Sequence, residues 1–198
     1  MTQEKQNQMK INQVGLKDQV SLKEDFQALK LQKSSNTMRE VKIEKIVLNI
    51  GGTAENLEKG VKLLKILTGK KPAKMMTHKR IPTLGVRPKL EVGTVVTIRK
   101  DKEELLKKLL KAIDNKLRKK QISENNFSFG IEEYIEIPEV EYQRDIGIIG
   151  LDVTVVFKRA GRRVKLKKVK RGRVSKKQII SREEIIKFME EKFETEFD

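Results

Sequence analysis

The side chains with the most chemistry to offer in this sequence are cationic. From Lys158 to Lys177 the chain reads KRAGRRVKLKKVKRGRVSKK, with twelve Lys or Arg and no acid; Arg159, Arg162, Arg163, Lys165 and Lys167 lead the run. A merely solvated stretch interleaves Glu or Asp to limit self-repulsion, so an unbroken run implies a polyanionic partner. The formal net charge is +17, of which this run supplies +12 and all other residues 17 − 12 = +5. No apolar or aromatic face accompanies these charges, which favours nucleic acid over a membrane surface. Binding by phosphate neutralisation would weaken steeply with salt.

A second constellation is polar. Asn49 stands between Leu48 and Ile50, faces away from the apolar side of its strand, and is followed by Gly51 and Gly52. Thr97 and Arg99 alternate with Val96 and Ile98 in another extended run. An amide, a hydroxyl and a guanidinium on an uncovered sheet face are able to read nucleotide edges and 2′-hydroxyls. The two glycines permit a sharp turn or the approach of another backbone. A third feature is the loop over 78–90, where Lys79, Arg80, Arg87 and Lys89 surround two prolines and a glycine. A loop of that length inside a compact domain is usually functional or mobile.

Enzymatic chemistry finds no support. His78 is the single histidine and sits among cations with no carboxylate nearby, so it reads as a loop residue or an RNA contact. Glu132 and Glu133 alternate faces and do not converge. The chain has no cysteine, which excludes disulfides and thiolate sites, and no His or carboxylate spacing suits a metal. Gly51–Gly52 followed by Lys59 lacks the spacing of a phosphate-binding loop. No catalytic residue, metal or cofactor is expected.

Several elements must position these groups. VKIEKIVLNIGG, residues 41–52, alternates with a one-residue phase slip, which places a β-bulge near Glu44–Lys45. Thr53 is the expected N-cap of a helix carrying Leu57, Val61, Leu64 and Leu67 up to Gly69. A short extended run follows over 73–77, then the loop, then a strand over 92–99. Asp101 with Glu104 suggests a capping box opening a helix with Leu105, Leu109, Ile113 and Leu117 on one stripe. Strands are expected over 131–137 and 151–158, and Val164, Leu166 and Val169 suggest a partial strand within the basic run. Ser181 with Glu184 opens a last helix, stapled by Ile180 and Ile185, with Ile185, Met189 and Phe193 facing inward.

This order predicts an α+β fold: an antiparallel β-sheet with helices packed on one face and a long loop between strands. The 198 residues suit one domain plus extensions. Residues 1–37 read as a mobile extension holding a weak amphipathic helix and a Ser-Ser-Asn-Thr linker. Residues 38–198 read as a single domain that includes the basic segment 158–177 and the final helix. No apolar run reaches the ~20 residues that cross a bilayer, so a soluble cytoplasmic protein is expected. DNA and RNA are not separated by charge alone.

The blocks IEKIVLNIGG, TGKKP, LGVRPKLEVGTVVTIR, NNFSFGIEEYIEIPEVEY and DIGIIGLDVTVVF, in this order, resemble the family of large ribosomal subunit protein five. The ending, RAGRRVKLKKVKRGRVSKK and a helix, is similar to its archaeal type. The resemblance implies a structural, non-enzymatic protein holding 5S rRNA in the central protuberance. It makes Asn49, Gly51, Gly52, Lys70, Lys71, Thr97 and Arg99 RNA contacts, with Lys70 standing where the family often has Gln. It makes the 78–90 loop the contact to peptidyl-site tRNA, through Lys79, Arg80, Arg87 and Lys89. Further implied partners are 23S rRNA, the neighbouring 5S-binding protein and a small-subunit protein at an intersubunit bridge. The rival reading is a free RNA-binding or chaperone protein acting through its basic segment alone; an RNA-processing enzyme comes third.

Overall fold

A computed structural model describes residues 38–197. The sequence expectations for residues 1–37 lie outside the described residues. The chain divides into two compact units, one built on residues 41–158 and 173–198, the other containing residues 159–172.

The larger unit holds a six-stranded sheet in the order β2-β3-β1-β7-β6-β5, with every neighbouring pair antiparallel. Its strands are β1 (Lys42–Gly51), β2 (Ala73–Met76), β3 (Glu91–Ile98), β5 (Ile122–Ser123), β6 (Asn126–Ile131) and β7 (Leu151–Lys158). The helices α1 (Glu55–Thr68), α2 (Lys102–Lys111) and α4 (Arg182–Phe193) pack on one side. Their inward residues form a single core with those of the strands: Leu63 and Leu64, Leu106 and Leu109, and Ile185 and Met189 meet Ile46, Leu48, Val153 and Val155. A separate parallel pair joins β4 (Lys116–Leu117) to β8 (Glu196–Phe197). The α+β expectation, with its one-sided helical layer, is what forms.

The expected bulge lies in β1, between Ile43 and Lys45 opposite β7. It lets Ile43 and Ile46, three residues apart, both point into the core, at 4 % and 0 % exposure. In a regular period-two ladder, residues three apart would point to opposite faces. The Lys102 ammonium donates to the Ile43 carbonyl over 2.9 Å beside the irregularity. A ladder of rings from Phe127 and Phe129 through Phe157 to Phe188 and Phe193, with centroids 5.5–6.4 Å apart, fastens α4 to β6 and β7. Ser181 and Glu184 form the expected capping box, with both reciprocal bonds present.

Other expectations need correction. The strand expected over 131–137 lies earlier, as β6: Phe127, Phe129 and Ile131 alternate inward, whereas Tyr134 and Ile137 are three apart and belong to a 3-10 turn. The Tyr134 hydroxyl accepts from the Gln143 backbone N–H at 3.0 Å and ties that turn to the following loop. Thr53 is not the N-cap of α1; Ala54 is, with φ +48°, and its side chain offers no acceptor. Asp101 precedes α2 but is left-handed at φ +51°, so its carboxylate makes no cap bond. α2 ends at Lys111 because Asp114 and Asn115 turn left-handed, which short polar side chains tolerate. Leu117 is therefore buried from β4 and not from the helix stripe.

Gly60 sits where α1 crosses the sheet. A Cβ there would lie 3.0 Å from Ile50 Cγ2 and 3.2 Å from Thr94 Cγ2. Ala would gain ~1 kcal/mol in helix propensity, but overpacking two buried neighbours costs roughly 1–3 kcal/mol. Gly60→Ala is therefore expected to lower unfolding free energy by about 1 kcal/mol in a denaturant titration. Thr94 is fully buried, and its Oγ1 has no hydrogen-bond partner among the described residues. Thr94→Val keeps the shape while removing a desolvated hydroxyl, and the same titration should show a gain of about 1 kcal/mol.

Candidate nucleic-acid interface

Within the larger unit the helices leave the opposite sheet face to half-exposed or exposed residues. Cross-strand register fixes which side chains meet there. One row runs Ala73, Val95, Asn49, Asp152, Gly130 across β2, β3, β1, β7 and β6. The next runs Thr97, Val47, Thr154, Ser128. Five of these nine side chains, Asn49, Asp152, Thr97, Thr154 and Ser128, are able to donate or accept a hydrogen bond, and the others are small or aliphatic. Gly93 helps keep the surface low, since a Cβ on it would come 3.9 Å from Asn49 Oδ1. Such a floor lets a nucleotide edge reach the polar atoms without displacing bulky side chains.

Asn49 and Thr97 are diagonal neighbours on this face, because Asn49 pairs with Val95 and Thr97 with Val47. Diagonal positions in an antiparallel pair stand ~7–8 Å apart, within the span of one nucleotide's edge and its sugar. Arg99 lies one residue past the end of β3 and is exposed. The glycines and the lysine turn do not adjoin. Gly51 pairs with Gly93, and the Gly52 N–H donates to Val92 O at 3.0 Å, at one end of the sheet. The Lys70–Lys71 turn enters β2 ahead of Ala73, which pairs with Val95, so it lies toward the Thr97–Arg99 end. Gly69 makes that turn at φ +63°, closing α1 with its N–H on Lys65 O. The open face is thus bounded by Lys70, Lys71 and Arg99 at one end and by bare backbone at the other.

The 78–90 loop leaves β2 and returns to β3 at the glycine end. It is more ordered than its prolines suggest: Ile81 and Val86 bond both ways at 3.0 Å around a 3-10 turn at Pro82–Leu84. Lys79, Arg80, Arg87 and Lys89 are all exposed on it. Thr77 closes its base. Its hydroxyl lies 2.7 Å from Arg87 O and 3.3 Å from Leu90 O, and its backbone bonds both Lys89 and Leu90. Beside it, Lys74 and Glu91 pair at 2.8 Å, and the Glu91 bond and charge raise the Lys74 ammonium above the ordinary lysine range. That contribution is full below the ordinary lysine value of ~10.4 and fades only as pH rises past the raised one.

Residues 159–172 of the basic segment belong to the other unit, and Lys158, Arg173, Lys176 and Lys177 to the larger one. Arg163–Leu166 forms one turn of helix, α3, rather than the expected partial strand. Val164 and Leu166 are too few to impose a period, and no described strand pairs with them. Lys167 N–H instead bonds Arg163 O, and Gly172 N–H bonds Val164 O. Arg163, Lys165 and Lys167 are exposed, and Arg159 and Arg162 are half-buried. Two residues with a place in the site were not singled out in the sequence. Thr77 gave no signal beyond a hydroxyl at a strand–loop boundary. Asp152 was visible only as an outward position on β7, yet it is the cross-strand partner of Asn49. A carboxylate there repels phosphate and accepts only from base or hydroxyl donors. Among the described residues no group of three His, Cys, Asp or Glu could hold a metal, and no helix is long and apolar enough to cross a membrane.

Residues 36–87 match the family model described as ribosomal protein L5, and residues 91–188 match the model for the C-terminus of the same ribosomal family. Large ribosomal subunit protein uL5 of Nanoarchaeum equitans is 41% identical over 78% of this chain and 94% of its own length. The chain belongs to the L5 family. The uL5 proteins of Methanococcus maripaludis and Archaeoglobus fulgidus are 37% and 36% identical, over 80% and 83% of this chain and 92% and 96% of their own lengths. The two L5 matches are separated by residues 88–90, at the end of the 78–90 loop. β1 and β3, the strands that carry Asn49 and Thr97, therefore belong to different L5 segments and come together only in the sheet.

Thr77→Val retains side-chain shape but removes both hydroxyl contacts at the loop base. Backbone amides of residues 79–89 are expected to exchange several-fold faster, and proteolysis within the loop to accelerate, while global unfolding changes by less than about 1 kcal/mol.

Proposed function

We propose that this chain is a structural, non-enzymatic constituent of the large subunit of cytoplasmic ribosomes, and that its open sheet face holds 5S rRNA. Membership of the L5 family supports the ribosomal role. The observation that carries the site is the in-register floor, with Asn49 diagonal to Thr97 and edged by Lys70, Lys71 and Arg99. Asn49, Thr97 and Asp152 address bases and 2′-hydroxyls, while Lys70, Lys71 and Arg99 neutralise phosphates. Gly51 and Gly52 leave backbone accessible to a sugar–phosphate strand. The cations Arg159, Arg162, Arg163, Lys165 and Lys167 add attraction toward 5S or 23S rRNA. Lys79, Arg80, Arg87 and Lys89, on a loop closed at its base by Thr77, are suited to the backbone of peptidyl-site tRNA. A neighbouring 5S-binding protein and a small-subunit bridge partner complete the setting.

A second reading draws on the segregation of residues 159–172 from the sheet unit: a free RNA-binding or chaperone protein using the basic segment alone. Filter binding to 5S rRNA at near-physiological salt separates the two. Asn49→Ala with Thr97→Val removes two hydrogen bonds and should weaken binding about tenfold or more; unchanged affinity would sink the open-face reading. Replacing Arg159, Arg162, Arg163, Lys165 and Lys167 by Gln should lower affinity for all RNAs and leave the preference for 5S rRNA intact. The salt dependence should flatten by ~0.7 for each phosphate no longer neutralised. Loss of all RNA binding, with unrelated single strands competing equally beforehand, would favour the second reading.

A further inference from the structure

Residues 159–172 hold more than charge. Their three large apolar side chains, Val164, Leu166 and Val169, are 42 %, 59 % and 72 % exposed. None of the three joins the core or the partly buried side chains packed on it. The turn that carries them is nonetheless closed. The Gly172 N–H donates to Val164 O at 3.1 Å, and a Cβ on Gly172 would lie only 2.7 Å from Val164 Cγ1. The Arg171 guanidinium reaches back to Lys167 O at 3.4 Å. A shaped turn thus leaves three apolar groups in water among eight cations and no acid. A single exposed apolar side chain needs no explanation, but a local group of them marks a contact surface.

We propose that residues 18–31 of this same chain cover Val164, Leu166 and Val169 in an intramolecular contact. The inference is independent of the ribosomal reading. Residues 38–40, the described end of the N-terminal extension, fall in the same compact unit as residues 159–172. The chain enters β1 at Lys42 and leaves β7 at Lys158, and these two residues are cross-strand partners. Six residues separate Leu31 from Met38. Fully extended they span about 25 Å, and so short a tether gives an effective concentration on the order of mM. A second copy would offer the same segment without that gain. The composition also fits. Leu22, Phe26 and Leu29 recur at spacings of four and three, and Ser21 with Glu24 has the spacing of a capping box. The same stretch carries Asp18, Glu24 and Asp25, the acids that 159–172 lacks. RNA phosphates would pair with the cations and leave the three apolar groups wet. The L5 matches begin at residue 36 and include 159–172, so the covering segment lies outside them and the covered turn within.

The chain has no cysteine, so Lys168→Cys, at an exposed position, takes a single nitroxide label on the full chain. Amide signals are then read without RNA, with the label oxidised and reduced. Amides of residues 18–31 are expected to lose most of their intensity when the label is oxidised. Leu22→Gln, Phe26→Gln and Leu29→Gln together should restore that intensity several-fold, and so should Leu166→Gln with Val169→Gln on the other side. Signals of β1 and β7 should keep their positions in both variants, which shows that the sheet is folded. The proposal is overturned if the 18–31 signals keep their intensity in the labelled parent, or if either Gln variant stays as broadened as the parent. It is also overturned if mixing labelled chains with unlabelled, isotope-enriched chains broadens 18–31 equally, which would assign the contact to a second copy. Broadening that appears only after 5S rRNA is added would overturn it too. Failure of the open-face reading, tested by Asn49→Ala with Thr97→Val, leaves all of these outcomes unchanged.

Discussion

The structure depends on a sheet that is dry on one side only. Three helices bury the inward residues of the strands, and a period-two backbone then delivers every other residue to the opposite side. Whatever that side presents is dictated by the same register that closes the core. β1 is the strand on which this is most tightly drawn, since it lies between β3 and β7 and must satisfy both ladders. Its bulge resets the phase so that Ile43, Ile46, Leu48 and Ile50 all point inward. With that phase set, Asn49 has no choice of side. Removing the bulge would move one half of the strand out of phase with the other and turn either the core residues or the amide to the wrong face.

Charge and shape are assigned to different parts of the molecule. The floor around Asn49 and Thr97 is low, polar and nearly uncharged, with Asp152 at its centre and Lys70, Lys71 and Arg99 at one end. A phosphate backbone is attracted to that margin and repelled from the middle, which favours bases or sugars over phosphate on the floor itself. The dense cations lie on separate structures: a single helical turn in one unit and an ordered loop in the other. Under the proposed function, long-range attraction and short-range reading fall to separate groups. Salt should screen the first more than the second.

Much of this was legible in advance. Strong period-two runs such as Leu151–Lys158 and the phase slip in β1 dictated their elements because burial of alternate apolar residues admits one solution. The capping box at Ser181 was legible because its two partners, Ser181 and Glu184, lie within one helical turn and need no help from the rest of the fold. The failures share a different cause. Asp101 and Thr53 have the right side chains for caps, but backbone turns imposed by neighbouring strands put them out of geometry. Residues 131–137 contain enough Ile to look like a strand. The true strand was the aromatic run before it, which only pairing with β7 could select. Val164 and Leu166, with no ladder to join, settled into a helical turn.

The sequence by itself determined the family through its ordered blocks, and it pointed to an anionic partner through its charge. It also determined that Asn49 and Thr97 lie opposite apolar faces, because alternation is a property of one strand. Only the tertiary structure decided that they share a face and a diagonal, that the Gly51–Gly52 and Lys70–Lys71 turns stand at opposite ends, and that Asp152 lies beside Asn49. Periodicity tells which way a side chain points from its own backbone. Register and packing, set by hydrogen-bonded pairing and the shape of the shared core, determine which other side chain it meets.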